Sequence, residues 1–461
     1  MADFLERMFK LKENNTTAKT EIIAGLTTFM TMAYIIFVNP IILNFVGIEG
    51  LEGLGPGFAP TLAATCLAAG VLCIAMGLYS NYPFALASGM GLNAVVAWQL
   101  IVGMKLPWQA AMGVIFMEGV LITIFVLTGL REAVMNAIPI SLKRAIGVGI
   151  GLFILFIGMV DGGLVKQGTG IPVTLGDLNN LAVFIAIIGI LITAYLMAKR
   201  VVGSLLLGII LTTILAIIIN YASGLTAFKT PGVAVIPKQI LSIPDFSTFG
   251  AGLNFGVFSK IGFLTAILTI FSIMMSDFFD TMGTVIGIGG EGGFLKEGKL
   301  PRLNRVLLVD SLAAAFGGFS SASSVTTYIE SASGVAEGGR TGLTSVVVGF
   351  LFLLGLFLAP IAGIIPPQAT APALILVGFY MCTIIKDIPF ADFEEGFPAL
   401  MVLVTMPFTY SITNGIGVGF VIYTFIKIVR GKAREVHWMM YLASAAFIVY
   451  FAIPLITSLL G

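Results

Sequence analysis

Charge is scarce in this chain: only 10% of its 461 residues are Asp, Glu, Lys or Arg, against about a quarter in soluble globular domains. That scarcity excludes an ordinary water-soluble domain. The few charges nearly cancel, 24 basic against 23 acidic for a net charge of +1, so no polybasic face points to nucleic acid as a partner. Histidine occurs once, as His437, which argues against a His-based zinc site or a histidine proton relay. Cys66, Cys73 and Cys382 each lie inside an apolar run, where a thiol is a small packing group, so neither disulfide nor metal is expected. The N-terminal "MADFLERMFKLKENNTTAKTE" has no small-residue cleavage signature, and no removable signal peptide is expected.

What is abundant is apolar surface. Hydrophobic residues make up 58% of the chain, and its mean hydropathy is +1.06. Apolar runs near twenty residues recur along the whole length, each enough for a helix to cross ~30 Å of hydrocarbon, whereas barrel strands would be shorter and alternating. The fold class is therefore an all-α polytopic membrane protein. Hydropathy, with charged loops as boundaries, predicts fourteen spans near 22–46, 60–79, 83–101, 108–130, 145–163, 180–198, 201–221, 262–289, 303–319, 325–339, 342–364, 370–385, 397–412 and 414–430. Basic residues gather in alternate loops: Lys10, Lys12 and Lys19; Arg131, Lys143 and Arg144; Lys199 and Arg200; Lys296, Lys299, Arg302 and Arg305; Arg340; Lys386; and Lys427, Arg430, Lys432 and Arg434. The positive-inside rule puts these loops and the N-terminus in the cytoplasm.

Seven spans then precede the long outer loop 222–260 and seven follow it. The second set enters the membrane in the opposite sense, which is an inverted repeat. "GLYS" at Gly77 and "GGFS" at Gly317 each precede a short polar span, and "IPISLKRAIGVGIG" at Ile138 and "IPPQATAPALILVG" at Ile365 occupy matching places. The last apolar run, 438–457, does not fit the scheme. It is either an extra span or a sign that the pieces from 397 to 430 do not each cross fully.

Spans 3 and 10 are the least hydrophobic and are the matched pair of that repeat. Span 3, "NYPFALASGMGLNAVVAW", carries Pro83, Ser88, Gly89, Gly91 and Asn93, all poor mid-helix residues. Span 10, "SSVTTYIESASGVAEGG", has a β-branched stretch from Val325 to Ile329 that favours extended chain. Each reads as an extended piece followed by a half-helix, beginning near Ser88 and Ser331. Non-helical backbone at membrane depth is tolerated only where it is buried in protein or lines a cavity, and matched interruptions in two halves point to a transporter's binding site.

Intramembrane acids are costly and are site candidates by default. "MMSDFFDTMGTVIG" in span 8 places Asp277 and Asp280 three apart, on one helical face, and Glu330 joins them from span 10. Ionised, such a group accepts the paired N–H donors of a heterocycle; protonated, it can enter the membrane plane with a neutral substrate. Glu118 in span 4 and Asp310 in span 9 are expected to tie helices together. Glu337 and Arg340 are expected to form an end-of-helix ion pair or gate contact. The Gly-rich "GIGGEGGFLKEGKLPR" lacks the Lys-Ser/Thr ending and the preceding strand of a phosphate loop.

At "SGMGLNA", "DFFDTMGT", "SSVTTYIESASGVAEGGRTG" and "TTFMTMAYIIFVNP" the chain resembles the AzgA-like purine permeases, the adenine/guanine/hypoxanthine branch of the nucleobase/ascorbate transporter superfamily. The similarity runs from about Asn15 to beyond Trp438. It implies fourteen helices in a seven-plus-seven inverted repeat and a core domain of spans 1 to 4 and 8 to 11 that moves, elevator-like, against a gate domain of spans 5 to 7 and 12 to 14. On this chain that gives a cytoplasmic segment 1–21, core 22–130 and 255–364, and gate 131–254 and 365–461. The resemblance also implies a plasma-membrane importer of hypoxanthine and guanine, with adenine left open, coupled to a proton, needing no other cofactor, and a homodimer through the gate domain. Residue by residue, it carries substrate binding onto Gly91, Asn93, Asp280 and Glu330. Ser331, beside them, is expected to bind the substrate as well, and Phe29 and Phe279 are expected to cover the ring face. Asp280, Glu330 and Asp277 are the expected proton-coupling groups.

Two rival readings stand at this point. One is an anion or other-solute carrier of the same fold. The other, of a different class, is an intramembrane enzyme using Asp277 and Asp280 as a catalytic dyad.

Overall fold

A computed structural model describes residues 2–129, 137–168, 170–228, 230, 232–295 and 300–460. Arg131, Lys296 and Lys299 of the orientation reading lie outside the described residues. The chain begins with a short amphipathic helix α1 (Ala2–Phe9). The first apolar run then forms α2 (Ala18–Met32), whose Thr17 cap accepts from the Thr20 amide at 3.2 Å, and α3 (Ile35–Leu43). After α4 (Phe58–Ser80) comes the first weak span: a strand β1 (Leu86–Ser88), a helix α5 (Met90–Ala94) and a π-helical continuation, Val95–Gly103. Helices α6 (Trp108–Thr128) and α7 (Ile140–Asp161) start directly after Pro107 and Pro139, where proline costs no hydrogen bond. A small hairpin, β2 (Val165–Lys166) and β3 (Thr174–Leu175), leads to α8 (Leu181–Ala198) and α9 (Ser204–Ala222).

Helix α10 (Val257–Ile261) leads into the long α11 (Phe263–Glu291), then α12 (Leu303–Ser320). The second weak span is again a strand, β4 (Val325–Thr327), and a short helix, α13 (Ser331–Ala336). Then come α14 (Gly342–Gly355), α15 (Ala359–Ala362), α16 (Pro367–Cys382), α17 (Phe393–Thr409), α18 (Ile412–Val429) and α19 (Trp438–Leu460). Among the described residues, nine helices are long and apolar enough to cross a membrane, and shorter apolar helices run 90–103, 342–355 and 438–452. The run after Trp438, left open by the sequence, is a separate helix docked on α18, where Ser444 donates to the Phe420 carbonyl at 3.0 Å.

The most extensive packing falls within two sets of helices: α2, α4, α6, α12 and α14 in one, and α7, α8, α9, α16, α17 and α18 in the other. Small residues set the closest approaches. A methyl group on Gly119 of α6 would lie 2.2 Å from the Ala315 nitrogen of α12, and one on Gly77 of α4 would lie 2.3 Å from the Gly342 carbonyl of α14. Lipid-solvated helices gain little from hydrophobicity alone, so such backbone-to-backbone contact is the main source of their association. Buried Glu21 pins the start of α2 to the loop after α13, accepting from the Arg340 amide at 2.8 Å and the Thr344 hydroxyl at 2.6 Å. Arg340 itself donates to the Val335 and Gly339 carbonyls, capping α13.

The two weak spans meet at their strands. β1 pairs antiparallel with β4 in the register Leu86 with Thr327, Ala87 with Thr326 and Ser88 with Val325, and all six residues are buried. The ladder extends one bond at each end, from Gly89 N–H to the Ser324 carbonyl and from Tyr328 N–H to the Ala85 carbonyl, both 2.9 Å. A two-stranded ribbon has two open edges, which hydrocarbon cannot satisfy. Here helices supply the partners. Cys73 of α4 accepts from the Leu86 amide at 3.0 Å and donates to its carbonyl at 3.1 Å, so this thiol is a hydrogen-bonding group rather than only a packing one. Asp310 of α12 accepts from the Thr327 amide at 2.8 Å, the Thr327 hydroxyl at 2.7 Å and the Thr281 hydroxyl at 2.7 Å. Tyr328 donates to the Ser88 carbonyl.

Replacing Asp310 with alanine leaves a buried amide without its acceptor, which costs ~1–3 kcal/mol. The Asp310→Ala protein should therefore unfold at a lower temperature than wild type in a detergent melt. An unchanged melting temperature would contradict the edge-capping role.

Candidate functional site

The ribbon sets where the two half-helices begin. Ser88 is the last residue of β1, so the first half-helix starts at Met90, two residues later than the sequence reading placed it. The second starts at Ser331, as expected. Between them, α11 and α7 enclose a cavity of about 80 Å³, room for a few water-sized groups.

Three carboxylates reach it: Asp277 and Asp280 from α11, and Glu330 from the junction of β4 and α13. No Lys, Arg or His is among the lining residues. Glu330 is half-buried, and its Oε1 accepts from the Tyr34 hydroxyl at 2.7 Å. Tyr34 sits at the break between α2 and α3, so a discontinuity in the first span delivers the donor. Thr31 and Ser333, with hydroxyls 3.0 Å apart, fasten α2 to α13 on the same side. Asp280 is half-buried as well, whereas Asp277, one turn earlier, is only 1% exposed. Thr326, Thr327 and Tyr328 of the ribbon and the backbone around Gly91 form the polar floor. The opposite wall is apolar: Ile150 and Ile154 of α7, Val377 and Met381 of α16.

The residues singled out in the sequence thus divide. Glu330, Asp280, Asp277 and Gly91 line the cavity. Asn93, Ser331, Phe29 and Phe279 do not line it. Ser331 accepts the Ala85 amide at 2.9 Å and so secures the approach to β1. Phe29 packs edge-on against Phe352, with ring centroids 5.2 Å apart. Phe279 lies against Phe278 and has the Lys143 ammonium 6.0 Å from its ring centre. Asn93 is fully buried, and neither of its amide atoms has a partner among the described residues. Tyr34, Tyr328 and the four apolar wall residues were not singled out. Both tyrosines lie within motifs that carry the family resemblance, "MAYIIF" and "TTYIES". The wall residues are ordinary Ile, Val and Met in apolar helices and give no signal of their own.

Residues 19–418 match the sequence profile of the permease family Xan_ur_permease. The chain is 41% identical over 451 residues to a putative permease of Methanocaldococcus jannaschii, covering 97% of this chain and 98% of that one. It is 40% identical to the guanine/hypoxanthine permease PbuG of Bacillus subtilis, over 97% and 99% of the two chains. It is 39% identical to the adenine permease AdeP of Escherichia coli, over 96% and 95%. Among solved structures it is similar to the transmembrane domain of the cyanobacterial bicarbonate transporter BicA, with a TM-score of 0.59 at 15% identity, covering 86% of this chain and 97% of that one. Murine Slc26a9, an anion transporter in the inward-facing state, gives a TM-score of 0.60 at 10% identity, covering 89% and 68%. At such low identity these two likenesses show the fold alone. With the family profile matched over most of its length and relatives near 40% identity end to end, the chain belongs to the permease family, as its motif resemblance implied, and is a membrane transporter rather than an enzyme.

Proposed function

We propose that this chain imports purine nucleobases across the plasma membrane by proton symport, with the cavity between the two half-helices as the purine site. The observation that carries the reading is the lining: three carboxylates, no cation, and one apolar wall. A purine presents in-plane N–H donors and ring acceptors around a flat apolar ring. Glu330, with Oε1 already accepting from Tyr34, keeps its other oxygen for paired N–H donors, and a hydrogen bond to an ionised acceptor is worth ~1.5–3 kcal/mol. Asp280, on the facing helix, engages the other edge of the ring. Ile150, Ile154, Val377 and Met381 cover its face, a role the sequence reading gave to Phe29 and Phe279. The relatives named as guanine/hypoxanthine and adenine permeases support a purine substrate.

Proton coupling is supported by the acidic lining as a whole, because an intramembrane carboxylate is stable when it carries either a proton or a ligand. An elevator-like movement is supported by the division of the lining between two helix sets: the ribbon and Glu330 belong to one side and Ile150, Ile154, Val377 and Met381 to the other, with α11, which carries Asp277 and Asp280, packed against both. In this reading the strand-plus-half-helix spans are the matched centre of a seven-plus-seven inverted repeat, the N-terminus is cytoplasmic, and a homodimer forms through the gate side. An anion substrate is disfavoured by the acidic lining.

Radiolabelled hypoxanthine uptake in cells expressing the protein tests this. Glu330→Gln and Asp280→Asn should each lower uptake by about tenfold or more, the equivalent of ~1.4 kcal/mol or greater. Near wild-type transport in both would contradict these roles. Tyr34→Phe removes one hydrogen bond worth ~0.5–1.5 kcal/mol and should cost only several-fold. Unlabelled guanine should compete and sulfate should not, and a protonophore should abolish accumulation; competition by sulfate but not by guanine would favour the anion carrier.

A further inference from the structure

Glu118 of α6 is a carboxylate that the purine site does not use. It sits midway along its helix and is 0% exposed. Its nearest ionisable neighbour is Asp277, on the packed helix α11. Neither oxygen of Glu118 accepts from an N–H or O–H of a described residue, and the Thr326 hydroxyl is the donor that faces Asp277. The carboxyl groups are within hydrogen-bonding reach of each other, and a carboxyl pair can bond in that way only when one member holds a proton. Among the described residues, the groups facing the pair supply no compensating charge. They are Asp310 from α12, Asp280 one turn along α11, and Thr326 from β4, whose hydroxyl is 2.8 Å from that of Thr281. Two buried acids in contact without a cation ionise together only at a high cost, so the pair holds a proton strongly while it is shut away from water.

Asp277 also lines the purine cavity. The pair therefore has one member open to the cavity and one sealed behind it.

We propose that Glu118 and Asp277 form a buried carboxyl pair that carries the co-transported proton, separate from the Glu330 and Asp280 groups that hold the purine. The inference rests on the purine-symport reading above. A proton enters from the cavity onto Asp277 and is shared with Glu118. With the pair protonated it carries one negative charge instead of two, so the acidic field behind Glu330 and Asp280 is lowered while they bind the base. On the cytoplasmic side, where water reaches the cavity, release of the proton restores the pair's second negative charge and expels the base. No covalent bond changes; one proton moves from the outer medium to the carboxyl pair and on to the cytoplasm.

Glu118→Gln provides the test, because an amide can donate permanently to Asp277 and mimic the protonated pair. In proteoliposomes the variant should exchange internal for external hypoxanthine at close to the wild-type rate. It should not accumulate hypoxanthine against its gradient, whereas one-proton coupling in the wild type supports about tenfold accumulation per pH unit. Purified wild-type protein in weak buffer should take up a proton on binding hypoxanthine, and Glu118→Gln should not. Gradient-driven accumulation by Glu118→Gln equal to wild type would overturn the proposal. Loss of hypoxanthine binding by the folded variant would also overturn it, by making Glu118 part of the binding apparatus. If Glu118→Gln does not fold, proton uptake by the wild type decides: absence of uptake refutes the proposal, and its presence together with coupled transport by Glu118→Asp supports it. A wild-type protein that exchanges no purine at all would sink the functional reading, and this inference with it.

Discussion

Hydrocarbon offers no partner to a backbone amide, and that constraint organises the centre of this molecule. Two spans abandon the helix halfway through the chain's apolar interior and become strands, β1 and β4, which exposes backbone groups that a helix would have paired internally. Their pairing with each other satisfies one edge of each. The other edges are met by a thiol, Cys73, and a carboxylate, Asp310, each projected from a neighbouring helix. The broken spans are affordable only because helices from both halves of the chain, α4 and α12, converge on them.

That convergence is also what makes a site. Because β1 and β4 run antiparallel, the half-helices that follow them leave in opposite directions, and the ground between them is not filled by either. Glu330 stands at the hinge of the second strand and half-helix, where Tyr34 from the break in the first span can reach it. Asp277 and Asp280 arrive on α11, whose Thr281 shares Asp310 with the ribbon. The same carboxylate that caps the strand edge therefore also sets the register of the helix carrying two of the cavity acids. Fold and chemistry are coupled through Asp310, which the sequence reading had treated as a helix tie and which ties helix, strand and site together.

Much of this could be read from composition and local pattern, for definite reasons. Helices surfaced as apolar runs bounded by charge: the starts expected at 108 and 180 agree with Trp108 and Leu181, whereas α2 and α7 begin at Ala18 and Ile140 rather than 22 and 145, because Thr17 and Pro139 start them ahead of the apolar runs, and α14 stops at Gly355 rather than 364. The weak spans were visible because Pro83 and the Gly/Ser/Asn cluster disfavour helix while Val325, Thr326 and Thr327 favour extended chain. Long-range geometry was not visible. Nothing local says that Leu86 lies opposite Thr327, that Cys73 bonds a strand, or that residues 95–103 relax into a π-helix whose Gln99 bonds the Ile412 amide at 3.0 Å and the Thr413 hydroxyl at 2.7 Å. The aromatic expectation failed to meet the cavity because Phe29 and Phe279 lie on helix faces turned to other neighbours, while the covering wall comes from α7 and α16, distant in sequence and unmarked in composition.

The account stands on a purine held where the two half-helices converge. The most direct measurement is an experimental structure determined with hypoxanthine bound. The account predicts the base in the cavity, with Glu330 and Asp280 at hydrogen-bond distance, about 2.7–3.2 Å, from opposite edges of the ring, and with Ile150 and Met381 over its face. A base bound elsewhere, or residues 86–88 and 325–327 in unbroken helices facing lipid, would contradict it.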